Sequence, residues 1–201
     1  MKKIELKLSK PEYQVEESYK ALRTNLQFCG DDKKVIVITS CTPNEGKSTV
    51  SMSLGISLAH SGKKTLLLDA DMRKSVLLGK VKAGGQELSG LSHYLSGQTS
   101  LDDAMLATDV SDFYMIIAGS VPPNPAELLG GERFAKLLEK LRKIFDYIII
   151  DCAPLGSVID SAIVAKVSDG AILVIESGVI SYRFAQDVLA QLQKSDCPIL
   201  G

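Results

Sequence analysis

The chain has 201 residues, 45% of them apolar, and a formal net charge of −1. That suits one α/β domain with its own core and offers no basic field for nucleic acid. Its four cysteines (Cys29, Cys41, Cys152, Cys197) form no C-x-x-C pair, which argues against a zinc site or a disulfide framework and for reduced cytosolic thiols.

The opening MKKIELKLSK is charged and lacks the apolar core of a signal peptide, and the longest apolar runs are strand-sized. A soluble chain is expected, any membrane attachment coming through a partner. Residues 12–28 read as a helix with Val15, Tyr19, Leu22 and Leu26 in one apolar stripe. VIVIT (35–39) reads as a buried strand, and the segment after Lys47 as a helix ended by Ser61-Gly62. TLLLD (65–69), FYMIIA (113–118), YIIID (147–151) and AILVI (171–175) predict core strands, with helices at 132–145, 160–167 and 182–194. The Gly-, Ser- and Lys-rich stretch 79–100 predicts an excursion over the surface. Pro122, Pro123 and Pro125 around Asn124 predict a rigid connection before Ala126–Leu129 turns helical, either walling a base or ribose pocket or serving as a stiff linker. Asp160 is expected to cap a helix starting at Ser161. The final CPILG looks like the start of another core strand, so a longer native chain is expected. Strands alternating with helices predict a single α/β domain, its mostly parallel sheet covered on both faces; the phosphate-loop motif at 38–51 places it in the P-loop NTPase class.

Residues 38–51, ITSCTPNEGKSTVS, carry the chemistry. A strand end, a turn-rich loop and Gly46-Lys47-Ser48-Thr49 ahead of a helix build a phosphate cradle from backbone N–H groups and a helix terminus. Cys41 occupies the place of the usual first glycine. Thr42, Pro43, Asn44, Glu45, Gly46, Lys47, Ser48 and Thr49 are the nucleotide-binding candidates. Lys47 is positioned to reach the β/γ oxygens and Ser48 to ligate Mg²⁺. Asp69, Asp71 and Asp151 stand at strand ends, where open α/β sheets place their ligands. Alone, each could be a cap or turn residue; three converging on one phosphate loop point to a metal and phosphoryl site.

SCTPNEGKST, LLLDADMRK and IIIDCAP resemble the Walker A, A-prime and B motifs of bacterial tyrosine kinases, the P-loop enzymes that govern capsular and exopolysaccharide synthesis. GSVPPNPAELLGGERF (119–134) and ESYKALRTNLQF (17–28) extend the likeness over nearly the whole chain from about residue 11. The resemblance implies ATP with Mg²⁺ as cofactors and Ser48, Asp69 and Asp151 about the metal. It implies Asp71 as the base for the tyrosine hydroxyl, with Lys47 and Asp69 also in the catalytic set. It further implies protein tyrosine substrates including the chain itself, homo-oligomers (in rings for some members), and a transmembrane polysaccharide co-polymerase-type adaptor that holds the kinase at the inner face of the membrane. Glu17, Lys20 and Arg23 resemble the family's E-x-x-R-x-x-R assembly motif, with Lys20 replacing its first arginine and losing the planar fork. Read without the resemblance, these residues are a solvated helix face with Glu16 and Lys20 at i, i+4.

The competing class is that of partitioning and positioning ATPases, which are switches without kinase activity. They carry an additional lysine where this chain has Thr42. Of the six tyrosines, Tyr114 and Tyr147 fall in strands and read as core. Arg73 is read either as neutralising phosphate charge or as pairing with an acid. Cys41 and Cys152 read as small fillers near the nucleotide, with a lowered thiol pKa at Cys41 as the alternative. His60 and His93 show no partner in the sequence and receive no role.

Overall fold

The computed structural model describes residues 1–8, 11–85 and 87–201. In chain order the elements are β1 (Lys2–Lys3), β2 (Glu5–Leu6), α1 (Tyr13–Phe28), β3 (Val35–Ser40), α2 (Lys47–His60) and β4 (Thr65–Asp69). A 3₁₀ turn (Leu77–Lys80) follows, then β5 (Val81–Lys82), α3 (Leu91–Leu95), α4 (Leu101–Ala104), β6 (Leu106–Ala107) and β7 (Phe113–Ile116). The chain continues through α5 (Pro125–Gly130), α6 (Glu132–Leu141), β8 (Tyr147–Asp151), α7 (Asp160–Ala165), β9 (Gly170–Val174) and α8 (Tyr182–Gln193).

Seven strands form one sheet in the order β1-β6-β7-β4-β8-β3-β9. All pairs are parallel except β6 with β7. Alternate residues of each central strand feed opposite layers. Val35, Val37, Leu66, Leu68, Ile148 and Ile150 join one core with Phe134 and Leu137 of α6, Val164 of α7 and Leu192 of α8. Ile36, Ile38, Leu67 and Ile149 join the other with Leu26 of α1 and Leu54 and Leu58 of α2. This period of two, with both faces apolar, is what a parallel sheet covered by helices requires. The P-loop α/β architecture read from the sequence is the observed one.

Several details differ from expectation. The stretch 79–100 is not a mere surface excursion, because Leu91, Tyr94 and Leu95 of α3 are buried in the core. The strand expected over 113–118 ends at Ile116; beyond it, the carbonyls of Ile117 and Ala118 accept hydrogen bonds from the amides of Leu91 and Ser92, at 2.7 and 2.9 Å. The stripe of α1 is buried only at Leu26, Val15 being 43% exposed. Helix α6 stops at Leu141, and Arg142 then grips Asp169 with both guanidinium arms, at 2.6 and 2.9 Å. Near the C-terminus, Ile199 bridges Ala171 of β9 in parallel, as the strand-like sequence there suggests.

Candidate nucleotide and phosphoryl-transfer site

The site lies at the carboxyl ends of β3, β4 and β8, where parallel register sets Asp69 beside Asp151 and Ile38 beside Asp151. The loop from β3 turns into α2 through Asn44 (φ 72°) and Gly46 (φ 88°), the latter in a left-handed conformation that costs glycine little. Among the described residues no side chain caps α2 at Gly46, so the helix terminus is open toward a ligand, although the Thr49 amide already donates to the Gly46 carbonyl at 2.9 Å. A cavity of about 350 Å³ opens there, lined on one side by Pro43, Asn44, Gly46, Lys47, Ser48 and Thr49. Asp71, Arg73, Lys74, Val76 and Lys80 line another side, and Ala153, Pro154, Ser157 and Val158 the far wall.

Of the eight loop candidates, Thr42 and Glu45 do not line this cavity. Glu45 is buried and braces the loop from within. One of its carboxylate oxygens accepts from the amide of Thr42 and, at 2.8 Å, from the Thr42 hydroxyl; the other accepts from the Glu176 amide at 3.1 Å. The far wall comes close to the loop: a side chain on Gly156 would stand 2.2 Å from the Cys41 carbonyl oxygen.

Lys47 Nζ lies 3.0 Å from Asp71 Oδ2, both side chains nearly fully buried, and 3.3 Å from Ser48 Oγ. Burial works against the Lys47 charge, but Asp151, Asp71 and Asp69 outweigh it and raise its pKa. Asp69 and Asp151 do not line the cavity; each is 1% exposed. Burial, with Asp151 alongside, pushes the Asp69 carboxyl up to about 8, against the hydroxyl of Ser75 that donates to it. Burial also raises Asp151, although Lys47, Ser48 and Ser51 oppose the shift. The Ser51 hydroxyl reaches Asp151 Oδ1 at 3.1 Å. Asp71 is held by the amide of Lys74, which donates to its Oδ1 at 3.0 Å.

The structure bears out some other expectations and corrects the rest. Arg73 pairs with an acid: its Nε and Nη2 donate to the two oxygens of buried Asp160, at 2.8 and 3.0 Å. Asp160 therefore caps nothing; it is the first residue of α7, its carboxylate engaged across the site. The Cys41 thiol is buried and its pKa raised, by burial and by Glu45, where a helix terminus and Lys47 suggested lowering. Burial raises Cys152 further, so both read as fillers. None of residues 119–128 lines the cavity; the proline segment leads instead into α5, with Pro125 at its start. His93 has partners after all, its Nδ1 accepting from the Gly90 amide at 3.1 Å and its Nε2 lying 3.3 Å from Ser120 Oγ. Tyr147 is buried and the Tyr114 ring meets Phe145 edge-on, as their strand positions suggest.

In α1, Lys20 Nζ lies 2.9 Å from both Glu16 and Glu17. Arg23 turns onto α2, donating to the Ser57 carbonyl at 2.9 Å, and its Nε is buried without a hydrogen-bond partner among the described residues.

Residues that sequence reasoning passed over are Ser51, Ser75 and Lys80. Ser51 had a signal, standing four residues after Lys47 on the same helix face. Ser75 and Lys80 had none, since loop path alone brings them in.

The AAA-domain family profile matches residues 33–196. The tyrosine-protein kinase CpsD of Streptococcus agalactiae is 46% identical over 186 residues, 92% of this chain and 80% of the relative. Among solved structures, the chimerical protein CapA2B2 superposes with a TM-score of 0.89 at 27% identity, over 98% of this chain and 90% of that one. The kinase domain of the Escherichia coli tyrosine kinase ETK gives 0.85 at 32% identity, over 92% and 73%. The septum site-determining protein MinD of Pyrococcus horikoshii, complexed with Mg-ADP, gives 0.68 at 26%, over 84% and 68%. These likenesses, spanning loop, carboxylates and sheet alike, show that the chain belongs to the bacterial tyrosine-protein kinases, a branch of the AAA-domain P-loop ATPases.

Proposed function

We propose that this kinase binds MgATP in the cavity at the head of α2 and transfers the γ-phosphoryl group to tyrosine hydroxyls, its own chain's included, in the control of capsular or exopolysaccharide synthesis. The observation that carries this reading is the buried Lys47–Asp71 pair, 3.0 Å apart at the cavity edge. It sets a phosphate-binding cation beside a carboxylate that can accept a proton. Such a carboxylate cannot deprotonate a phenol of pKa about 10 outright. It takes the proton late, as the new O–P bond forms, while Lys47 and the α2 amides hold the phosphate oxygens in place.

The residues fit a magnesium ion. Asp69 and Asp151 are buried side by side, with Ser48 bonding to Asp151, and two crowded carboxylates with raised pKa call for a cation. Among the described residues no cluster of three or more His, Cys, Asp or Glu could hold a metal alone, which suits an ion that takes its other ligands from phosphate and water. Ser48, Asp69 and Asp151 would hold it, and it would neutralise charge on the transferring phosphoryl group.

No helix among the described residues is long and apolar enough to cross a membrane. This is compatible with a kinase held at the inner face of the membrane through a transmembrane adaptor of the co-polymerase kind, whether fused or separate. The orphaned Nε of Arg23, with Glu17 and Lys20 nearby on α1, supports this helix as the contact between subunits of a homo-oligomer.

The likeness to MinD favours a second reading, a nucleotide switch that hydrolyses ATP without phosphorylating protein. Two variants separate them. Lys47→Met is expected to abolish phosphotransfer. Asp71→Asn is expected to keep ATP binding, measured by calorimetry, and lose most phosphotyrosine formation. Wild-type phosphotyrosine levels from Asp71→Asn would remove Asp71 as the base.

A further inference from the structure

Four cations line the nucleotide cavity: Lys47, Arg73, Lys74 and Lys80. Two are committed to carboxylates, Lys47 to Asp71 and Arg73 to Asp160. Lys74 is exposed, and neither it nor Lys80 has a carboxylate within ion-pair distance among the described residues. Lys80 differs from Lys74 in being partly buried and directed at the site, its Nζ donating to Thr49 Oγ1 at 3.0 Å across the gap between the 3₁₀ turn and α2.

The backbone of Lys80 is also fixed in place. Its carbonyl accepts from the Lys7 amide at 2.8 Å, and Lys7 Nζ donates to the Gly79 carbonyl at 3.1 Å. Immediately beyond it, β5 pairs antiparallel with β2, Glu5 opposite Lys82 and Leu6 opposite Val81. The chain start thus forms a two-stranded ribbon whose end holds Lys80 over the first turn of α2. An ammonium anchored this way has a neutral hydroxyl as its contact partner, the charge of Asp151 reaching it only through space, and the cavity it borders is where phosphate oxygens belong.

We propose that Lys80 is a second phosphate-binding lysine of this kinase, contacting the non-transferred phosphates of the bound nucleotide from the flank opposite Asp71. The inference rests on the nucleotide site proposed above. Its placement follows from helix geometry. Thr49 stands two residues after Lys47, hence about 200° around α2, so the Lys80–Thr49 contact lies on a different side of the helix from the Lys47–Asp71 pair. A contact made there serves ATP and ADP alike and is the same before and after transfer, so it supports affinity more than turnover.

The test is calorimetric titration of the full chain with MgATP and with MgADP, for wild type, Lys80→Gln and Lys80→Arg. Nucleotide-free thermal melting of each variant checks that it is folded. Lys80→Gln is expected to weaken MgATP and MgADP by a similar factor, about tenfold. Lys80→Arg, which keeps the charge, is expected to recover most of the affinity. Unchanged affinities in folded Lys80→Gln would overturn the proposal, and a loss confined to MgATP would overturn its placement on the non-transferred phosphates. If wild type itself bound neither nucleotide, the nucleotide site would fail rather than Lys80.

Discussion

Asp69 departs far from its free form. In the folded, nucleotide-free protein it holds its proton up to about pH 8, whereas in the unfolded chain it ionises near pH 4. Between those values the unfolded state has shed a proton that the native state keeps. The stabilisation tied to Asp69 is therefore complete below about pH 4 and falls as pH rises to about 8, by at most about 1.4 kcal/mol per unit. Asp69→Asn carries no such proton. Nucleotide-free melts at pH 5 and pH 8 should show the variant gaining on wild type as pH rises; a gap that stays constant would contradict the raised pKa. Lys47, Ser48, Asp69, Asp71 and Asp151 were legible in the sequence because strand ends and a glycine turn place them locally. Lys80, Ser75 and the Arg73–Asp160 pair were not, because each depends on two segments meeting that are distant in the chain or joined by an irregular path.

At the scale of elements, the tie between the loop after β4 and the start of α7 is the Arg73–Asp160 pair. Asp160 is 1% exposed on its side chain and Arg73 41%. Arg73→Ala would strand a buried carboxylate, and the partial exposure of the arginine places the cost at about 1–3 kcal/mol, below that of a fully buried pair. Denaturant midpoints should show this loss, with part of it recovered when Asp160→Asn is added. Equal stability of Arg73→Ala and wild type would show that the pair contributes nothing. The central strands were readable because they are continuous β-branched and apolar runs buried on both faces. Strands β1, β2, β5 and β6 have two residues each, too short for any period to register. Helix α3 was hidden because Leu91, Tyr94 and Leu95 are set among glycines and serines, so local composition pointed to solvent while tertiary packing carried them into the core.

For the whole molecule, the layered sheet brings three strand-end carboxylates and the phosphate loop to one edge, leaving α1 on the outside with Tyr13 and Phe28 largely exposed. If α1 joins subunits, Arg23→Ala should lower the mass of the assembly in light scattering, and an unchanged mass would remove that contact. Fold class alone does not separate a kinase from a nucleotide switch, since both use this sheet and loop; the fate of the γ-phosphoryl group does. The most direct measurement incubates the purified wild-type chain with Mg²⁺, γ-labelled ATP and a tyrosine-containing protein substrate, then resolves phosphotyrosine from free phosphate. Labelled phosphotyrosine is the predicted product. Free phosphate released at a steady rate with no label on tyrosine would contradict the account.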